Sequence, residues 1–265
     1  MKSGTIRREL VVRTPDGGCP VTLHSPSSGE PAPLVILYMD GPGIRPAMQA
    51  IGERLARARF AVALPDLFWR AGRYDPVDPK VVFADPVLKA EHRRKLMTST
   101  GPDRAVADTR AIIETAASWP EAARGGIGVV GYCMGGRLAL IVAAAFPARI
   151  AVAASFHAGG LADDRPSSPH LFADRMRACV YVAGATDDAN FDDAQKARLA
   201  DAFAAAGVAF RIETYPARHG WVPEDTAAHD PVQAGRHWSV LVPLLNDGLK
   251  RDYPHPPAPP DAAHG

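Results

Sequence analysis

The stretch Ile127-Gly128-Val129-Val130-Gly131-Tyr132-Cys133-Met134-Gly135-Gly136-Arg137-Leu138-Ala139-Leu140-Ile141-Val142-Ala143-Ala144-Ala145 decides how the chain is read. It opens on a short apolar run, turns at Gly131–Gly136 and continues as a helical pattern. That is strand, sharp turn, helix. The turn reads G-x-C-x-G, the nucleophile-elbow pattern with Cys in the place where Ser is more usual. A nucleophile held at so tight a turn needs neighbours without a Cβ atom. The helix that follows offers free N–H groups and a partial positive charge at its N-terminus, which favour a thiolate and a neighbouring oxyanion.

Working outward, Pro33–Met39 is a nearly continuous apolar run, expected as a strand buried on both faces, and it ends in the loop Asp40-Gly41-Pro42-Gly43. Residues 6–13 and 19–24, separated by Pro15-Asp16-Gly17-Gly18, predict an antiparallel hairpin. Further strands are expected at 60–64, 149–156, 178–183 and 208–215, and helices at 46–58, 102–118, 135–146, 192–206 and 229–249. Pro243 predicts a kink or break in the last helix. Strands alternating with helices after a hairpin imply an α/β domain with a mostly parallel sheet and helices on both faces. Residues 1–250 are expected to form that one domain. Within it, 66–101 is a partly irregular, cap-like excursion with a helical pattern near 86–98. Residues 251–265, rich in proline, are expected to be a disordered tail.

The chain has 265 residues, enough for a substantial core, and its 30 basic residues nearly balance 29 acidic ones. That balance gives no electrostatic footprint for nucleic acid or an anionic membrane. No run of apolar residues is long enough to span a bilayer, and the first residues lack the apolar core of a signal peptide. The three cysteines (Cys19, Cys133, Cys179) make neither a disulfide framework nor a zinc-spaced set, so a reducing, cytoplasmic setting is expected, with no metal and no cofactor. Cys19 and Cys179 fall inside strand patterns and are expected to be core or sheet residues.

In doubly wound sheets the chemistry sits outside the carboxyl ends of the strands. The residues that follow the apolar runs are Asp40 and Gly41, Asp66, Cys133, His157, Asp187 and Asp188, and His219. Cys133, an aspartate at 187 or 188, and His219 therefore converge on one edge in the order nucleophile, acid, base. Leu64-Pro65-Asp66-Leu67 is expected to be structural, and Glu91-His92-Arg93-Arg94-Lys95 to be a solvated helix face.

The elements Gly131–Gly136, Leu64-Pro65-Asp66-Leu67, Gly184-Ala185-Thr186-Asp187-Asp188 and Tyr215-Pro216-Ala217-Arg218-His219-Gly220 together resemble the dienelactone hydrolase family of α/β-hydrolases. The resemblance covers roughly residues 33 to 245 and implies an α/β-hydrolase fold, a Cys-His-Asp triad and hydrolysis of an ester or lactone. It implies Cys133 as nucleophile, His219 as base, and an oxyanion hole from the N–H groups of Met134 and Gly41. It favours Asp188 over Asp187 as the acid, because the family pattern has an apolar residue three positions later, where Phe191 stands. Asp40 occupies the position of a family Glu that interacts with the resting thiol. The family's carboxylate-binding Arg after the catalytic His has no counterpart in Trp221-Val222-Pro223-Glu224, which leaves Arg70 and Arg73 as cationic candidates. Asp40, Trp69, Arg70, His157 and Trp221 are expected to line the pocket. A small-molecule ester or lactone is the expected partner of a monomer or homodimer. The competing expectation is a weakly active homologue that binds a small molecule or senses redox state.

Overall fold

A computed structural model describes residues 4–186 and 188–250. Asp187 and the proline-rich tail lie outside the described residues. Strands β1 (Thr5–Thr14) and β2 (Gly17–Pro26) form the expected antiparallel hairpin, with Thr14 opposite Gly17. The other strands are β3 (Leu34–Tyr38), β4 (Ala61–Pro65), β5 (Ile127–Tyr132), β6 (Ile150–Phe156), β7 (Cys179–Ala185) and β8 (Phe210–Tyr215). They join one sheet in the order β1-β2-β4-β3-β5-β6-β7-β8. Pairing is parallel from β4 across to β8, and β2 joins β4 antiparallel. This is the α/β-hydrolase arrangement, with an N-terminal antiparallel hairpin.

Helices α1 (Pro46–Arg57) and α7 (Pro231–Leu249) lie on one face, where the guanidinium of Arg54 sits over the Trp238 ring. Helices α4 (Pro102–Ala116) and α5 (Met134–Ala145) cover the other; there Thr109 of α4 hydrogen-bonds Tyr38 of β3 at 2.6 Å. Helix α6 (Asp193–Ala205) follows β7. Continuous apolarity in β3 to β7 is explained by this double cover: β3, β4, β5 and β6 are buried at every position.

Helix α7 has no break at Pro243. It runs through Pro243 to Leu249 as one element, with Leu241 and Leu245 fully buried on either side of the proline. Tertiary burial of this face outweighs the one backbone hydrogen bond that Pro243 cannot donate. The excursion 66–101 contains the short helices α2 (Pro79–Val82) and α3 (Pro86–Lys95). Asp66 accepts bonds from the Phe68 N–H and the Tyr74 hydroxyl at 2.9 and 2.7 Å, the structural role expected of it. Between β6 and β7 a 3-10 segment, Pro169–Arg175, packs on the α5 side; the sequence carried no periodic signal for it.

The position of β5 depends on glycines. A Cβ on Gly128 would lie 2.8 Å from Leu245 of α7. On the opposite face, a Cβ on Gly131 would lie 2.6 Å from Gly136 N, and one on Gly135 would lie 2.5 Å from Tyr38 O. Helix α5 therefore abuts the ends of both β5 and β3 at backbone contact distance.

Gly135→Ala should destabilise the fold by about 3 kcal/mol or more, at or above the usual range for overpacking because the atoms in the way are backbone. Gly235→Ala, in α7 with nothing near its Cβ position, should instead stabilise by about 0.4–1 kcal/mol. Urea unfolding midpoints of the two variants check both signs.

Candidate active site

Cys133 stands at the N-cap of α5 with φ +52° and ψ −117°. This is a backbone region that residues with a Cβ avoid, at a typical cost of about 1–3 kcal/mol. It is held there by bonds on both sides. The Cys133 N–H donates to Phe156 O at 3.0 Å, and its carbonyl accepts from the N–H groups of Gly136 and Arg137. The turn leaves the side chain partly exposed at the carboxyl edge of the sheet, at the first turn of α5.

Four neighbouring strands deliver the remaining groups. Asp40 and Gly41 follow β3, His157 follows β6, Asp188 follows β7 and His219 follows β8. The last two loops are tied together before their side chains meet. The Thr186 N–H donates to Ala217 O at 3.1 Å, and the Thr186 hydroxyl donates to Tyr215 O at 2.9 Å. Nδ1 of His219 then donates to Oδ2 of Asp188 at 2.5 Å. The second oxygen of Asp188 accepts from the backbone and side-chain N–H groups of Asn190 at 3.0 and 3.1 Å. Both oxygens of this buried carboxylate are thereby engaged, and the ring is oriented with Nε2 away from Asp188.

Cys133 lies close enough to His219 to act on it electrostatically. Burial alone would favour a neutral His219 ring. The charge of Cys133, the hydrogen bond to Asp188 and the charge of Asp188 together overcome this and push its pKa up to about 10. Burial likewise works against ionisation of Asp188, but its bonds to His219 and Asn190 hold the carboxyl below its usual range. The cluster can thus hold a charged ring between a carboxylate and a thiol.

His157 and Trp221 do not face solvent as pocket-lining residues would; both are fully buried. The Trp221 ring stacks on Tyr215 at 5.1 Å and meets His157 edge-on at 5.0 Å, and His157 in turn meets His219 at 5.4 Å. They back His219 from within the core. Burial, followed by the charges of His219 and His237, keeps His157 well below the usual histidine range, so it is a neutral neighbour.

Trp69 and Arg70 correct the expected pocket more strongly. Arg70 is bidentate to Asp108 at 2.7 and 2.8 Å, pairs with Asp16 at 2.8 Å, and lies over the Trp69 ring. The Trp69 indole also donates to Asp108, and its ring sits against Gly17 of the hairpin. Two carboxylates draw this pair to the hairpin end of the sheet. Both oxygens of Asp40 face Arg45, at 2.5 and 2.9 Å.

Side chains of the excursion close over the Gly41 loop. Phe83 and Met97 come within 3.5 Å of where a Gly41 Cβ would stand, and Phe68 and Tyr74 pack on Gly43. His92 is not part of a solvated face as expected. It is buried, packs edge-on against Phe68 and Phe83, and donates from Nε2 to Gly41 O at 2.8 Å. Arg45, Asn190 and Asp225 are the other site residues absent from the sequence reading. Asn190 had one available signal, its position two residues after Asp188.

Comparison with known proteins gives the family and the fold. The model of the family described as "Dienelactone hydrolase family" matches residues 20–249. A carboxymethylenebutenolidase from Pseudomonas sp. (strain P51) is 37% identical over 122 residues, 46% of this chain and 48% of the relative. Carboxymethylenebutenolidase 1 from Cupriavidus pinatubonensis is 34% identical over 113 residues, 43% of this chain and 46% of the relative. The chain spans about half the length of these two curated relatives. Among solved structures, the dienelactone hydrolase-like promiscuous phosphotriesterase P91 from metagenomic libraries superposes with a TM-score of 0.74 at 18% identity, over 93% of this chain and 99% of that one. At that identity the likeness is one of fold.

The elevated pKa of His219 links the site to stability. A protonated ring stabilises the fold fully below its ordinary value of 6.5, and this contribution is lost as pH rises through about 10. The gap in thermal midpoint between the natural chain and Asp188→Asn should therefore be widest between about pH 4 and 6.5 and should narrow towards pH 10. A gap that widens with rising pH would contradict the assignment of charge.

Proposed function

This chain belongs to the dienelactone hydrolase family, a family of lactone and ester hydrolases, and we propose that it works through a Cys133–His219–Asp188 triad and a thioester acyl-enzyme. The observation that carries this reading is the hydrogen bond from His219 to the buried Asp188, with Cys133 acting on the same ring from a strained strand-to-helix turn.

The pair begins as thiolate and imidazolium. Sγ of Cys133 attacks the carbonyl carbon, and the carbonyl oxygen becomes an oxyanion that accepts from the N–H groups of Met134 and Gly41. Collapse of this intermediate breaks the bond to the alcohol oxygen, which takes the proton from Nε2 of His219, leaving a thioester and a neutral ring. Neutral His219 then removes a proton from water as the water oxygen attacks the thioester. The second oxyanion expels the thiolate, which meets the newly formed imidazolium. Asp188 holds the ring in the tautomer that both steps require and offsets its charge. A lactone yields a single hydroxy acid by the same steps.

The substrate class is a small ester or lactone. Of the two cationic candidates for a substrate carboxylate, Arg70 is already shared by Asp16 and Asp108, and Arg73 is exposed. Redox sensing fits less well. Cys19 is on β2, three strand spacings from β5, or about 14 Å. Cys179 opens β7 at the opposite edge of the sheet from the elbow. Burial pushes the Cys19 thiol far up as well, which leaves it a poor resolving nucleophile.

Cys133→Ala should lower kcat/KM on p-nitrophenyl acetate and on a simple δ-lactone by at least about 10³-fold. Asp188→Asn should cost about 10²–10⁴-fold, mainly in kcat. Steady-state kinetics test both, and hydrolysis that survives Cys133→Ala unchanged would overturn the triad.

A further inference from the structure

Arg45 is the N-cap residue of α1, a place where Ser, Thr, Asp or Asn usually stands, yet its side chain does not cap the helix. The guanidinium is buried, with 1% of the side chain exposed, and all five of its N–H donors are occupied. Nη1 donates to Oδ1 of Asp40 at 2.5 Å and to Gly43 O at 3.1 Å. Nη2 donates to Oδ2 of Asp40 at 2.9 Å and to Oδ1 of Asp225 at 3.0 Å. Nε donates to Oδ2 of Asp225 at 2.6 Å.

These acceptors belong to two loops. Asp40 and Gly43 flank Gly41, whose N–H belongs to the peptide that Asp40 begins. Asp225 lies six residues after His219, in a loop that has its own closures: the Thr226 hydroxyl donates to Gly220 O at 2.7 Å and the Asp230 N–H to Trp221 O at 3.1 Å. His219 is separately fixed by Asp188 and by the bonds of Thr186. The loop after His219 is thus an anchored support, and the Asp40–Gly43 loop is the part that Arg45 ties to it.

We propose that Arg45, oriented by Asp225, is a positioning residue that holds the Gly41 N–H where it can meet the oxyanion. This rests on the triad reading above and adds to it a cationic staple between the oxyanion loop and the loop of the base. A fork geometry is required, because two carboxylates are gripped side by side; a lysine ammonium cannot reproduce it. His92, which donates to Gly41 O, secures the same loop from the excursion side.

The test separates acylation from plain thiol reactivity. Alkylation of Cys133 by iodoacetamide needs the nucleophile and its histidine but forms no carbonyl oxyanion, whereas ester hydrolysis needs the oxyanion donors. Arg45→Lys and Asp225→Ala should each lower kcat on p-nitrophenyl acetate by about ten- to a hundredfold, with KM changed less than about threefold. The alkylation rate of Cys133 should stay within about twofold. Asp225 is one-third exposed, so its variant keeps the test available if Arg45→Lys does not fold. Hydrolysis that is unchanged in the Asp225→Ala protein overturns the proposal. So does a parallel fall of hydrolysis and alkylation, the mark of a general loss of site structure. Wild-type hydrolysis that is insensitive to Cys133→Ala would sink the triad reading itself, and is seen in a separate arm.

Discussion

Helix α5 approaches the ends of β3 and β5 so closely that neither Gly131 nor Gly135 has space for a side chain, and the rest of the site depends on this contact. Of the three residues between these glycines, Cys133 takes the positive φ that the turn requires. The same contact brings the carbonyls at the end of β3, just before the Gly41 loop, against the first turn of α5. Strain of about 1–3 kcal/mol at one residue is supportable because a sheet buried on both faces and an almost wholly buried helix define the surroundings.

Electrostatics then determine what the turn can do. The carboxylate of Asp188 and the charge of Cys133 favour the protonated form of His219 against the cost of burying it, while buried His157 remains neutral beside it. A second charge cluster lies in the two flanking loops: a buried Asp40–Arg45 pair joined by the part-exposed Asp225. Such clusters add little net stability, since desolvation offsets attraction, but removal of one partner from a buried pair costs about 3–5 kcal/mol. Their usefulness lies in geometry. A guanidinium with all five donors engaged leaves each carboxylate few other orientations.

Much of the fold was legible because its signals are local. Apolar runs, Gly/Pro punctuation and helical spacing report on neighbouring residues, and the elbow carries its own steric requirement in Gly131 and Gly135. His219 and an aspartate at 187 or 188 were also accessible, since a residue just past a parallel strand must lie on the carboxyl edge; the family resemblance favoured Asp188. What escaped depends on contacts between loops distant in sequence. Arg45 reaches Asp225 across 180 positions. His92 is concealed within a charged run, and its inward orientation follows from how the excursion folds over Gly41. Trp69 and Arg70 looked like pocket residues because the excursion begins near the active edge. Asp16 and Asp108, which lie far from them in sequence, draw them to the hairpin. Pro243 gave a local warning that tertiary burial of α7 overrode.

The most direct test of the account is to identify the acyl-enzyme. Turnover of p-nitrophenyl acetate is quenched in acid and the protein is digested and weighed by mass spectrometry. The account predicts one acetyl group, removable by hydroxylamine, on the peptide that contains Cys133. An acetyl group carried by another side chain, or turnover that continues at full rate once Cys133 has been alkylated, would contradict it.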